Sequence, residues 1–286
     1  MLLLLLVSAT GFIAQLIDGS MGMAFGISST TMLLFLGYSP AIASATVHLA
    51  EIGTSLASGV AHIKHKNVDW NACVRVAIPG SIGALIGSLV LSSIDLSSAK
   101  SWTSSLLLIL GILLLFRFTR PLILGNQRRA RARMLAPLGL FGGFVDATGG
   151  GGWGPIVTTV LTASDSLEPR KAIGTANTSE FVISISASIG FLIGLGASNI
   201  PWKEVLALLV GGMLAAPLAA WLVAKAPSRI IGVSVGALVI ILNLFTLTLT
   251  FELARNFQIV IWTSTLLLLF AGILRAINLH RSELIE

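Results

Sequence analysis

Two aspartates sit inside otherwise apolar sequence, and each is followed at once by residues that break helices. The first is Asp18-Gly19-Ser20-Met21-Gly22-Met23. The second is Asp146-Ala147-Thr148-Gly149-Gly150-Gly151-Gly152-Trp153-Gly154-Pro155. Glycine costs a helix interior roughly 1 kcal/mol per residue relative to alanine, so the four in a row should unwind any helix that reaches them. A carboxylate at hydrocarbon depth costs at least ~2.5 kcal/mol, and irregular backbone at that depth survives only against protein or water. A helix that starts in mid-membrane points unpaired N–H groups, and about half a positive charge, at whatever precedes it. Glycine lets a ligand approach such backbone closely. Two ends of this kind would hold a small oxyanion such as sulfite, sulfate, a sulfonate or a carboxylate. Candidate substrate contacts are Gly19, Ser20, Gly22 and Phe25 in the first break. In the second they are Thr148, Gly149, Gly150, Gly151, Gly152 and Trp153, with Phe25 and Trp153 as walls and Asn177 as an amide ligand.

The aspartates would repel an anion if ionised, but burial favours the protonated form. Three readings of Asp18 and Asp146 stay open: caps on the following half-helix, proton-coupling or gating groups, and cation ligands. His48 and Glu51 lie three apart on one helix, and Glu180 lies on the corresponding helix further on. These three are candidate coupling or gating groups, because an ionisable residue inside a membrane is a functional candidate. For His48 and Glu51, structural pairing within the bundle is the expected reading over metal, since two ligands make no metal site. The letters Gly149-x-Gly151-x-x-Gly154 match a dinucleotide fingerprint, but no strand–helix–strand unit surrounds them.

Composition sets the class. The 286 residues are 55% hydrophobic and 10% charged, with a mean hydropathy of +0.93, where a soluble domain carries about 25% charged residues. The chain reads as an all-α polytopic membrane protein. Its net charge of +6 does not indicate nucleic acid, because the basic residues fall in short loops where they set orientation. The single Cys73 excludes an internal disulfide and a paired-cysteine metal site. No cofactor is expected. The Leu-rich start, Met1–Val7, lacks a basic flank and reads as part of a retained first helix.

The elements repeat. Gly11-(x6)-Asp18 lines up with Gly139-(x6)-Asp146, Ser20 with Thr148, Gly26 with Gly154, and Thr30-Thr31 with Thr158-Thr159. Further on, Ala43–Thr46 lines up with Gly174–Asn177, Val68-Asp69-Trp70 with Ile200-Pro201-Trp202, and Pro79-Gly80 with Gly211-Gly212. This order points to an internal duplication: residues 1–118 as a first repeat, 119–135 as a basic linker, 136–256 as a second repeat, and 257–286 as an extra helix and tail. Positive loops at Lys64–Lys66, Arg128–Arg133, Arg170-Lys171, Lys225/Arg229 and Arg275/Arg281 should be cytoplasmic. That places the C-terminus inside and the N-terminus outside the cytoplasmic (inner) membrane. It also makes Met134–Ala163 enter and leave by one face. Its arms of roughly ten residues are too short to span, so a re-entrant hairpin is expected. Met1–Leu36 would be the same hairpin from the other side, with longer arms. Each repeat then holds one broken hairpin and three spans, and the repeats are inverted, an architecture of secondary transporters. Trp70, Trp102, Trp202 and Trp262 read as interfacial anchors at helix ends.

The duplicated Gly-(x6)-Asp motif, the run Gly149–Pro155 and the Asn177 region resemble the TauE/SafE family of membrane transporters over nearly the whole chain. The first half departs from its partner in having Met21 and Met23 where the second has Gly149 and Gly151. The resemblance implies export of sulfite or organosulfonates. With the residues, it leads to the expectation of a secondary transporter, not an enzyme, that is proton-linked and works in the lipid bilayer. A homo-oligomer is left open. The alternative is a cation or divalent-metal transporter using Asp18, Asp146, His48 and Glu51.

Overall fold

The computed structural model describes residues 1–120, 132–163, 167–223 and 228–283. The side chains of a few further residues at helix ends, Gly19, Ser20 and Met21 among them, lie outside the described set. So do Arg128, Arg129 and Arg131 of the expected linker.

Every regular element described is helical. The helices are α1 (Leu2–Met21), α2 (Phe25–Phe35), α3 (Pro40–Lys64), α4 (Trp70–Ser93), α5 (Leu96–Phe118) and α6 (Ala132–Gly149). After a π-helical turn at Gly154–Thr158 come α7 (Thr159–Ala163), α8 (Pro169–Leu195), α9 (Trp202–Val223), α10 (Ser228–Thr250) and α11 (Arg255–Glu283). Starts follow ordinary capping chemistry. Ser39 Oγ accepts from the Ile42 N–H ahead of Pro40, Asp69 Oδ1 from Ala72 N–H at 2.9 Å, and Asp95 Oδ1 from Ser98 N–H at 3.0 Å. Between α2 and α3 the Tyr38 hydroxyl donates to Glu204 Oε1 at 3.0 Å, tying that loop to the start of α9. Burial and the Glu204 carboxylate push this phenol up to about 12, so it stays a donor at neutral pH.

Among the described residues five helices are long and apolar enough to cross a membrane: Trp70–Ser93, Leu96–Phe118, Arg170–Leu195, Arg229–Thr250 and Arg255–Ser282. Their outer faces are apolar and open, with Ile78, Ile82, Ile109, Phe116, Ile193, Leu267 and Leu268 all about half exposed or more. Water would make such a surface an aggregation site; hydrocarbon is its natural solvent. α11 lies at the edge, touching the bundle through Leu269 against Ala237 and Ile240.

The packing is exchanged between the halves. α1 lies along α9, α6 lies along α4, α5 pairs with α10, and α3 pairs with α8. Glycines bring the first two pairs into backbone contact. A methyl group on Gly11 of α1 would collide with the Leu208 carbonyl of α9, and one on Gly139 of α6 with the Val76 carbonyl of α4. Gly143 is in the same position against Gly80.

Two expectations about hairpin arms are corrected. α6 has 18 residues, ~27 Å at 1.5 Å per residue, where about ten were expected. Pro137 lies inside α6 without ending it, and Gly142-Gly143 serve helix contact instead of breaking it. The return arm of the first hairpin, α2, has 11 residues and is not the longer arm expected. Both hairpins are a long helix followed by a short one.

Candidate functional site

The chain breaks at two places, Gly22–Ala24 and Gly150–Gly152. Both begin with a left-handed glycine, Gly22 and Gly150, each at φ 67°. No side chain with a Cβ sits comfortably there. The aspartate four residues earlier then reaches over the break. Asp18 Oδ1 accepts from the N–H of Ala24 at 2.8 Å and of Phe25 at 3.2 Å. Asp146 Oδ1 accepts from the N–H of Trp153 at 2.8 Å. Each aspartate therefore caps the segment that follows it, so the half-helix starts carry a carboxylate where the sequence suggested room for an anion.

The carbonyls left at the end of α6 are satisfied by hydroxyls from three other helices. Ser44 Oγ of α3 donates to Ala147 O at 2.7 Å, Thr103 Oγ1 of α5 to Thr148 O at 2.9 Å, and Thr30 Oγ1 of α2 to Gly150 O. This is the accounting that a helix end in an apolar core requires. Sequence reasoning missed Ser44 and Thr103; their signal is a hydroxyl inside an apolar helix, which is common and unspecific. Thr103→Val keeps the shape and removes the donor. It should lower stability by about 1–3 kcal/mol through the unpaired Thr148 carbonyl, read as a lower melting temperature in detergent.

The two breaks touch. A Cβ on Gly26 would lie 2.7 Å from Gly151 Cα and 2.8 Å from Glu51 Oε1. One on Gly154 would lie 2.8 Å from Met23 Cα. Gly150, Gly151, Gly22, Met23 and Phe25 are all buried. Among the described residues, the room the sequence suggested for an anion between the breaks is closed, because the glycines let backbone pack on backbone. Cavities of about 430 Å³ and 240 Å³ lie elsewhere, between α5, α10 and α11 and beside Tyr38.

Around the contact sit the ionisable residues. Glu51 is 3% exposed, and Ser184 of α8 faces its carboxyl group. Glu51, Glu180, Asp146 and Asp18 lie close enough to act on one another electrostatically. His48 does not pair with Glu51. It reaches across to Asp146, Nε2 to Oδ2 at 3.1 Å, with both side chains at most 1% exposed. Its ring is held from the other side by Ser44 O, 2.8 Å from Nδ1. Among the described residues no three His, Cys, Asp or Glu side chains group as a metal site would need.

The remaining sequence candidates fall as follows. Thr148 is fully buried, and its hydroxyl donates back to Phe144 O at 2.8 Å. Gly149 ends α6 and Gly152 closes the break. Trp153 is fully buried, and its indole N–H is within 3.1 Å of both Ala176 O and Ser179 Oγ. Its ring lies over Gly80 of α4, as Phe25 lies over Gly212 of α9. Asn177 Nδ2 reaches Ser58 Oγ at 3.2 Å and His62 Nε2 at 3.3 Å, beside Gly22. Gly19 and Ser20 are in the last turn of α1; the surroundings of Ser20's side chain lie outside the described residues.

Residues 7–246 match the profile of a family described as Sulfite exporter TauE/SafE. The chain belongs to the TauE/SafE family. The chain is also 48% identical over 240 residues to YtnM of Bacillus subtilis, named a probable membrane transporter protein, covering 83% of this chain and 80% of that one. It is 28% identical over 225 residues to a Haemophilus influenzae protein also named a probable membrane transporter, covering 77% and 85%. No solved structure matches at a significant level. Membership of TauE/SafE and the five apolar spans make this a multi-pass membrane protein of a transporter family. The matched range includes both breaks, the glycine-rich one within residues 146–155 and the one within 18–26 that it packs against.

Proposed function

We propose that this protein is a secondary active transporter of small sulfur-containing anions, such as sulfite or organosulfonates. It works in the cytoplasmic membrane by proton-linked export. The substrate is held at mid-membrane where the two breaks meet once they have parted, and the closed contact described above is the substrate-free resting state. The observation that carries this reading is the direct approach of Gly151 to Gly26 inside the core. Irregular backbone contributed by two chain segments at one place inside a helical membrane protein is how secondary transporters build a midplane substrate site. Asp18, Asp146, His48, Glu51 and Glu180 are the coupling or gating groups, and Gly22, the Gly150–Gly152 run and Asn177 are the nearest substrate contacts.

The halves, residues 1–118 and 136–256, are proposed to be inverted repeats. Support comes from the paired contacts Gly11–Leu208 with Gly139–Val76, and Phe25–Gly212 with Trp153–Gly80. The gathering of four carboxylates around the breaks favours one other reading, a cation or divalent-metal transporter.

Purified protein in proteoliposomes separates the two. Labelled sulfite is expected to cross, at a rate that changes between an acidic and a neutral bath, while a divalent metal does not. Metal flux without sulfite or sulfonate flux would reverse the assignment.

A further inference from the structure

The hydrogen bonds around His48 fix where protons can be. Ser44 Oγ carries one hydrogen, and it is committed to Ala147 O at 2.7 Å. Ser44 Oγ therefore has no hydrogen for His48 Nδ1, 3.3 Å away. The other neighbour of Nδ1 is the Ser44 carbonyl at 2.8 Å, which can only accept. Nδ1 must then carry a hydrogen and donate. On the far side Nε2 faces Asp146 Oδ2 at 3.1 Å. Asp146 Oδ1 is already an acceptor for Trp153 N–H. A neutral ring with its hydrogen on Nδ1 presents a bare lone pair at Nε2, and a carboxylate oxygen facing it would be a second lone pair. The contact holds only if one proton lies on the line between them, whether as imidazolium with carboxylate or as neutral ring with carboxylic acid.

We propose that His48 and Asp146 form a one-proton site that latches the second break to α3, and that loss of this proton is the event that lets the breaks part. The proposal rests on the transport reading above. In the latched state the pair is neutral overall. When the proton leaves, to water or to the oxyanion as the breaks loosen, a neutral imidazole and a buried carboxylate remain with opposed lone pairs. The attraction between α3 and the end of α6 becomes repulsion, and the carboxylate gains most by meeting water. Reprotonation restores the link. The titratable groups near the pair are Glu51 on α3, Glu180 on α8 and Asp18 on α1. All are acidic. The cations of the neighbouring helices, Arg75, Lys100, Arg117, Arg170, Lys171 and Lys203, lie towards helix ends. Phe191, 6.0 Å from the His48 ring, closes the apolar side.

Two substitutions keep the link and remove the exchangeable proton. In Asp146→Asn the amide donates to Nε2 while its oxygen still accepts from Trp153 N–H. In His48→Gln the amide donates to Asp146 Oδ2. Protons moved per labelled sulfite are counted in proteoliposomes with an internal pH dye. Each variant should move one proton fewer per sulfite than the unaltered protein, at whatever rate remains. An unchanged ratio in both variants overturns the latch and leaves the transport reading standing. Should a variant move no sulfite, histidine-selective nitrogen NMR in detergent decides, with His48→Gln assigning the signal. A His48 with Nδ1 protonated throughout, whose Nε2 titration disappears in Asp146→Asn, supports the site. A bare Nδ1, or a titration indifferent to Asp146→Asn, overturns it. If the unaltered protein moves neither sulfite nor a sulfonate, the transport reading fails, and the NMR result still judges the proton site.

Discussion

Gly151→Ala should be among the most damaging single-methyl additions in this chain. Gly151 has φ +144°, a region open in practice to glycine alone, and its added Cβ would run into the backbone of Gly26 and Ile27. The conformational cost is about 1–3 kcal/mol. The collision adds to it, because backbone cannot rotate aside as a side chain can. Against a net stability of about 5–15 kcal/mol for a typical domain, that is a large fraction. The expected result is a melting temperature far below the unaltered protein in detergent. Gly149→Ala is the matched control. Gly149 is the last residue of α6, with no left-handed backbone to forbid a side chain, and its nearest neighbour would be 3.6 Å from the new carbon, an ordinary contact. That variant should melt at or above the unaltered temperature. Equal melting of the two variants would mean that the breaks do not meet as described.

Trp153→Ala should cost about 3–5 kcal/mol, the usual range for removing a large buried aromatic. Among the described residues Trp153 is the largest side chain buried to under 2% exposure, and its ring lies over Gly80 of α4 with Ile183 of α8 beside it. Removing it leaves a cavity next to the cap that Asp146 places on Trp153 N–H. Trp153→Phe separates packing from polarity. It keeps most of the ring and loses only the indole hydrogen bonds, and should cost about 1 kcal/mol. Thermal melting of both variants, with size-exclusion profiles as a folding check, reads the difference. A phenylalanine variant as weak as the alanine variant would show the indole N–H, not the ring, to be what holds α8.

The helices are legible in the sequence because long apolar runs interrupted by Gly, Pro and charge have few other solutions. α4, α5 and α10 are such runs. The breaks are legible for the same reason: glycine after a buried acid leaves little doubt about where a helix stops. Partners across the bundle are not. That His48 would meet Asp146 depends on how α3 lies against the end of α6, and a three-residue spacing on α3 says nothing of that. The first arm of the second hairpin exceeds the expected ten residues because α6 continues through Asp146 to Gly149 before it unwinds. Helix-facing glycine and helix-ending glycine are one residue type with two uses, and only the neighbour decides. The closing of the breaks on each other was hidden likewise, since glycine permits both an open cradle and a dry contact.

The exchanged packing of α1 on α9 and α6 on α4 has a consequence for how the chain is made. When α1 leaves the ribosome its partner lies roughly 200 residues ahead, about 10–40 seconds of synthesis at 5–20 residues per second. Through that interval the Gly11 groove faces lipid or a helper protein, and Asp18 sits in the bilayer without the company that later surrounds it. The amino-terminal half is thus a waiting intermediate, and quality control has a window in which to intercept it.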